Sequence, residues 1–250
     1  MIIMLDKKRR AIVTGSTKGI GLAIAKRLLK NGYFVILNYA TDMDSAISTA
    51  QDLRQAYQEH IDFEIIRQNL ESQNEIDAFY KTCMSIAPCY SVLILNAGCT
   101  NRTAWADLTW EQWEHVMNVN INAPAALIRK FNENIDDNGN LVFISSAMSI
   151  WPHATSVPYT VSKAALNGLT KALVKEYCNR NIRINAVLPG FVNTPWQKEK
   201  PIEQKKRISD KIALHRFAEP EEIADIVMNV INSTYLNGAL IQADGGYCYR

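Results

Sequence analysis

Short apolar runs alternate with longer amphipathic stretches along the whole chain. The apolar runs predict strands at Ala11–Thr14, Phe34–Asn38, Phe63–Ile66, Val92–Leu95, Leu141–Ser145, Ile182–Val187 and Ala239–Ala243. Several have no polar face, as expected of parallel strands covered by helices on both sides. Helical periodicity marks residues 19–30, 42–58, 72–86, 109–133, 158–178 and 220–232. Strand–helix alternation of this kind predicts right-handed crossovers and a doubly wound α/β sheet of about seven parallel strands. No internal repeat, low-complexity tract or linker divides the chain, so residues 1–250 read as one domain. The longest stretch without a strand partner is 190–218, charged and carrying Pro195 and Pro201. Ligands in such folds bind beyond the carboxyl ends of the strands, which predicts a lid over a substrate site there.

Composition narrows this picture mainly by exclusion. An apolar fraction of 48%, a charged fraction of 21% and a formal charge of +2 fit a globular protein and give no reason to expect nucleic acid or an anionic membrane as partner. The basic run Lys7–Arg10 reads as a solvated approach to the first strand. Five dispersed cysteines and four isolated histidines predict a reducing compartment, no disulfide framework and no metal site. The amino terminus has its apolar residues before its charges, the wrong order for a secretory signal, and no run is long enough to span a bilayer. The expected location is the cytoplasm.

Two local patterns carry chemistry. The first strand runs into "TGSTKGIG", placing Gly15, Gly19 and Gly21, with Ser16, Thr17, Lys18 and Ile20, in the turn before a helix. Glycine there allows a tight turn and close approach to a pyrophosphate, and the helix N-terminus offers free N–H groups. The second pattern is "YTVSK", which puts Tyr159 and Lys163 one helical turn apart on a shared face. A lysine charge beside the phenol favours phenolate and lowers a pKa ordinarily about 10. Taken alone, Tyr-x-x-x-Lys is also compatible with two unrelated surface residues.

The Thr-Gly-x-x-x-Gly-x-Gly spacing resembles the short-chain dehydrogenase/reductase family, and the resemblance extends over nearly the whole chain. It includes Asn96, Ala97 and Gly98 ("NAG") after the fourth strand, Asn120 in "NVNIN", Ser146 in "FISSAMS", and Tyr159 with Lys163. It also includes "PGFVNT", with Pro189, Gly190, Val192 and Thr194, and the terminal turn "DGG" at Asp244–Gly246. The resemblance implies a Rossmann-type enzyme that exchanges hydride between a nicotinamide cofactor and a carbonyl or alcohol. It implies Tyr159 as proton donor and acceptor, Ser146 bonded to the substrate oxygen, and Lys163 acting on the phenol and the nicotinamide ribose. Asn120 would hold a water connecting Lys163 to solvent. Ser145 is the competing serine, but strand alternation and the 13-residue separation from Tyr159 favour Ser146.

Cofactor choice is read at the second strand. It ends in Asn38 and Tyr39, without the acid that usually binds the ribose hydroxyls of NAD. Lys18 occupies the place of the basic residue in NADP-preferring relatives, so NADP(H) is expected to be preferred, with NAD(H) also accepted. Asn69, followed by Leu70, stands where relatives commonly carry an adenine-contacting Asp. Its amide oxygen can still accept a hydrogen bond.

Within the family the general likeness is to 3-oxoacyl-carrier-protein reductases of fatty acid biosynthesis and their acetoacetyl-CoA-reducing relatives. This implies an acyl-thioester substrate, an acyl carrier protein as partner, and a homotetramer. The segment "NENIDDNGN", with Glu133, Asp136 and Asp137, departs from the basic docking segment of that group; Arg129, Lys130 and Arg180 partly offset it. A ketone, sugar or polyol therefore stays open as substrate, as does a non-catalytic cofactor sensor. Trp151, His153 and Trp196 are expected to line the substrate space.

Overall fold

The computed structural model describes residues 9–57, 63–152 and 156–249. Its centre is one parallel sheet in the order β3-β2-β1-β4-β5-β6-β7, from β1 (Arg10–Val13), β2 (Phe34–Tyr39), β3 (Phe63–Arg67), β4 (Tyr90–Leu95), β5 (Ile135–Ile144), β6 (Arg183–Pro189) and β7 (Leu240–Ala243). Residues of one strand alternate between two cores. Ile12 and Leu93 face one side with Phe79 of α3 (Gln73–Ile86), Leu127 of α5 (Ala123–Lys130) and Leu166 of α6 (Val157–Glu176). Val13 and Ile94 face the other with Ile24 of α1 (Gly19–Lys30), Leu53 of α2 (Met43–Tyr57) and Val227 of α8 (Pro220–Asn232). Burial on both faces explains why these strands lack polar alternation.

The expected strands and helices are recovered with three differences. The helix expected over 109–133 is α4 (Trp110–Met117), a π-helical turn at Asn118–Asn122, and α5. The i→i+5 turn keeps apolar periodicity on both flanks, which is why the sequence reads as one helix. Strand β5 starts six residues early, at Ile135, because "IDDNG" bulges alongside β4: the register shifts between Tyr90 and Val92, and Asn138 takes φ 64°. Finally, the lid stretch contains α7 (Ile202–Ser209). Its base is closed by Asn193 N–H to Ala218 O (2.7 Å) and Ala218 N–H to Phe191 O (2.9 Å). Residues between those two points thus form an excursion with paired ends.

One arginine secures the edge of the sheet. Arg183 on β6 donates to the carbonyls of Ile231 (2.6 Å), Ser233 (2.6 Å), Val230 (3.1 Å) and Leu236 (3.4 Å). It thereby satisfies the orphan carbonyls where α8 ends. Arg183→Ala is expected to lower stability by about 2–3 kcal/mol, read as a lower urea midpoint with an unchanged slope.

Candidate active site

β1 and β4 are paired neighbours at the sheet centre, but the chain leaves β1 toward β2 and β3 on one side and crosses back to β4 on the other, so a crevice opens beyond the carboxyl ends of these two strands. A cleft of about 1500 Å³ opens there. Its floor is the glycine turn. Gly15 and Gly19 have φ of 60° and 56°, and a Cβ on Gly21 would lie 2.4 Å from Gly15 O. Asn96 braces this turn by donating from Nδ2 to Thr14 O (3.0 Å) and Gly15 O (2.9 Å). Thr14 Oγ1 in return accepts from the backbone N–H groups of Asn96 and Ala97, both at 3.0 Å.

Helix α1 begins at this floor with no side-chain cap and no acidic residue in its first turn. Helices α3, α4 and α8 all carry capping boxes. The unsatisfied N–H groups and the positive end of the dipole of α1 thus suit a diphosphate. The residues present fit a dinucleotide here.

Most of the expected cofactor residues line this cleft: Gly15, Thr17, Lys18, Gly19, Ile20, Gly21, Asn38, Tyr39, Asn69, Leu70, Asn96, Ala97, Gly98, Pro189, Gly190, Val192 and Thr194. Ser16 does not. It is fully buried, donates to Val13 O (2.7 Å) and accepts from Asn38 N–H (3.0 Å), so it ties the turn to β2. Asn38 is equally occupied, accepting from Gly15 N–H (3.3 Å) and donating to Gln68 O (2.9 Å) and Ile66 O (3.4 Å). Its amide locks β2, β3 and the glycine turn together rather than reaching outward. Asn69 accepts from Leu70 N–H (2.9 Å) and donates to Glu71 (2.9 Å), which leaves one lone pair of its amide oxygen unused. Lys18 is held by Asp42, 2.7 Å away. Asp42 also accepts from Ser45 N–H (3.0 Å) and Ser45 Oγ (2.8 Å) at the start of α2. Lys18 and these two donors hold the Asp42 carboxyl down to about 2.

Ser146, Tyr159 and Lys163 converge deeper in the same cleft. Lys163 is buried, donates to Ile144 O at 2.8 Å, and sits 5.7 Å from the centre of the Tyr159 ring. Burial lowers its ammonium to about 8. The phenol does not behave as the helical spacing suggested. Burial raises the Tyr159 pKa, and only the hydrogen bond with Ser146 acts against that. The ammonium of Lys163 donates to Ile144 O, and burial outweighs the expected lowering.

Asn120 is also placed differently from expectation. Its side chain is fully buried outside the cleft lining. It accepts from Cys99 N–H (2.8 Å) and donates to Cys99 O (2.9 Å) and Ser162 Oγ (2.9 Å). Both N–H groups of the side chain are thus used, and one lone pair of Oδ1 is left to accept from a water.

Ser145 also lines the cleft, but its hydroxyl is committed to α6, donating to Lys163 O (3.0 Å) and Asn167 Oδ1 (2.9 Å). Asn167 reaches Ser149 Oγ (2.8 Å), and Ser149 Oγ reaches Ser146 O (2.5 Å). This chain of bonds fixes both serines relative to α6. Sequence reasoning missed it, although Asn167 stands one turn beyond Lys163. Trp196 packs edge-on to Tyr159, with centroids 6.1 Å apart. Trp151 is exposed and outside the cleft lining, while His153 lies outside the described residues. Cys99, not singled out from sequence, lines the cleft with its thiol pushed up to about 11 by burial. No group of His, Cys, Asp and Glu able to hold a metal occurs among the described residues.

Residues 9–205 match the family model described as short chain dehydrogenase. Among curated relatives, the 3-oxoacyl-[acyl-carrier-protein] reductase of Aquifex aeolicus is 31% identical over 240 residues, covering 94% of this chain and 96% of the relative. Glucose 1-dehydrogenase 2 of Bacillus subtilis is 31% identical over 247 residues, covering 95% and 94%. Among solved structures, a short-chain dehydrogenase/reductase from Serratia marcescens superposes with TM-score 0.89 at 26% identity, covering 96% of this chain and 97% of that one. The angucycline C-6 ketoreductase LanV with bound NADP also gives 0.89 at 26% identity, covering 97% and 96%.

The Lys163 shift has a stability consequence of definite sign. Its folded pKa, about 8, lies below the unfolded value, so between the two the unfolded chain binds more protons and stability rises with pH. Relative to Lys163→Met, the wild type should gain about 2 kcal/mol between pH 7.5 and pH 10. Urea unfolding of both proteins at the two pH values reads this difference.

Proposed function

This chain belongs to the short-chain dehydrogenase/reductase family, and from that premise we propose that it uses NADPH to reduce a carbonyl to an alcohol, with a 3-oxoacyl thioester as favoured substrate. The observation that carries the reading is the convergence in one cleft of the Tyr159 phenol, the Ser146 hydroxyl and the buried Lys163 amine. NADPH, when bound, supplies the hydride that the carbonyl carbon accepts. As charge grows on the carbonyl oxygen, Ser146 donates a hydrogen bond and Tyr159 gives up its phenolic proton to it. A raised phenol pKa suits this direction, since the resting group carries the proton it must give. Lys163 remains largely charged at neutral pH and stabilises the phenolate left behind. Asn120 holds the Cys99 backbone and, through Ser162, the helix bearing Tyr159, so it is read as a positioning residue.

NADP(H) preference is supported by Lys18 at the adenosine end and by the absence of an acid at Asn38 and Tyr39. Asp42 works against it, because a 2′-phosphate must compete for Lys18 with a carboxylate already 2.7 Å away. The excursion between residues 193 and 217 is read as the substrate lid. A carrier protein as substrate donor is supported by the pairing of Asp137 with Arg180 at 2.8 Å, although Asp136, which accepts from the Ser91 hydroxyl at 2.8 Å, keeps its charge. Lys130, however, is drawn to Asp77 at 2.9 Å. A sugar or polyol is the second reading, favoured by the equal identity to the glucose dehydrogenase. Exposed Trp105 and Trp110 beside Trp113 at the start of α4 support self-association there, as in a tetramer.

Tyr159→Phe should keep NADPH binding, followed by fluorescence titration, and reduce acetoacetyl-CoA turnover by at least about a thousandfold; retained turnover sinks the assignment. Asp42→Ser should raise kcat/KM for NADPH severalfold relative to NADH, and Lys18→Glu should reverse the preference by at least about tenfold. Steady-state assays with both cofactors check this, and a ratio indifferent to both changes overturns the phosphate role.

A further inference from the structure

The cleft is also lined by cations that the proposed chemistry does not use. Arg102, on the loop leaving β4, and Lys200, Arg207 and Lys211, from the lid, line the same cleft as Tyr159 and Ser146. The basic residues Lys18, Arg27, Lys130, Arg180 and Arg216 each have a carboxylate within 3.0 Å. Arg102, Lys200, Arg207 and Lys211 have none among the described residues. Glu199 and Asp210 line the cleft too, so four positive groups from the β4 loop and the lid are accompanied by two negative ones.

Lys200 is half-buried, and its ammonium is pushed below the usual lysine range by that burial and by the nearby charges of Arg102 and Lys205. A lid serving only to exclude water would gain nothing from this arrangement, because gathering like charges around a half-buried amine is unfavourable without a counter-ion. The last-turn position of Arg207 on α7 accounts for a favourable dipole contact. It does not account for Arg102 or Lys200, which belong to other elements.

We propose that Arg102, Lys200 and Arg207 form an anion-binding subsite at the mouth of the substrate arm, taking a phosphate or carboxylate that the substrate carries away from its reacting carbonyl. The proposal rests on the carbonyl-reduction reading above and narrows it: the substrate is anionic, and neutral ketones and sugars lack the group this subsite recognises. The anion would bridge the β4 loop and the lid.

The test uses two matched pairs of substrates with NADPH: acetoacetyl-CoA against acetoacetyl-N-acetylcysteamine, and 5-oxohexanoate against its methyl ester. The wild type should prefer the charged member of at least one pair by about tenfold or more in kcat/KM. The preference should shrink as salt rises from about 0.05 to about 0.5 M. Preference in the first pair identifies phosphate as the anion, and in the second carboxylate. In Arg102→Gln/Lys200→Gln the ratio should fall to about threefold or less. Arg102→Gln and Arg207→Gln singly give the same readout should the double variant fail to fold. Equal use of both members in both pairs, or a preference that survives these substitutions, overturns the subsite while leaving carbonyl reduction intact. No turnover of any of the four compounds instead removes the carbonyl-reduction reading, and the subsite with it.

Discussion

An ammonium buried without a carboxylate is the constraint around which this molecule is organised. Lys163 has its charge held against Ile144 O at the end of β5, and most of what surrounds it serves to keep it there. Ser145 fixes the carbonyl of Lys163 itself. Gly98 leaves room: a Cβ at that position would come within 3.4 Å of Lys163 Nζ and 3.3 Å of Asn120 Oδ1. Asn120, emerging from a π turn, clamps the adjoining Cys99 backbone and the Ser162 hydroxyl on α6. Placing a full carboxylate beside the lysine would have been the cheaper way to bury it. It would also have neutralised the field that a phenolate formed at Tyr159 requires. The fold accepts the desolvation cost instead.

That arrangement separates two tasks that the Tyr-x-x-x-Lys spacing merges. In the resting site burial governs the phenol, so the proton stays on. Only when the proton leaves does a negative charge appear for the ammonium to stabilise. In the proposed mechanism the lysine therefore acts on the product of proton transfer more than on the resting acid. A helix face brings two residues together, but the hydrogen bond to Ile144 decides which way the amine points, and that bond depends on a strand distant in sequence.

The same distinction governs what could be read from the chain alone. Strand positions and sheet class were legible because strands buried on both faces leave continuous apolar runs. The glycine turn was legible because only glycine tolerates φ near 60° at Gly15 so close to Ala97. The π turn was not, since an extra residue in one helical turn leaves the flanking periodicity nearly intact. Nor was helix α7, whose residues Ile202–Ser209 include no buried position; without an apolar stripe there is no periodic signal. Asn38 and Ser16 were assigned to the cofactor by position along the chain. The structure turns both inward, where they hold the turn that a cofactor would rest on. Which neighbours a polar side chain satisfies is a property of tertiary contacts, and spacing reports it poorly.

The two ends of the cleft then differ in a way that follows from charge alone. At the adenosine end Lys18 already has a resident carboxylate, fixed by Ser45 at the start of α2, so an incoming anion must replace an existing ion pair. The net gain there is the difference between two exposed pairings and is accordingly small. At the substrate end Arg102 and Lys200 have no such resident, and an incoming anion relieves repulsion as well as forming new contacts. Electrostatic selectivity is therefore expected to be shallow for the cofactor and steep for the substrate. The lid is the element that makes the second possible. Its two ends are hydrogen-bonded to each other at Asn193 and Ala218, and Leu214 N–H is held by Gly245 O at 3.2 Å. The cations on it are thus presented from an anchored frame, and the entropy lost on gathering an anion between lid and β4 loop falls mainly on side chains rather than on backbone.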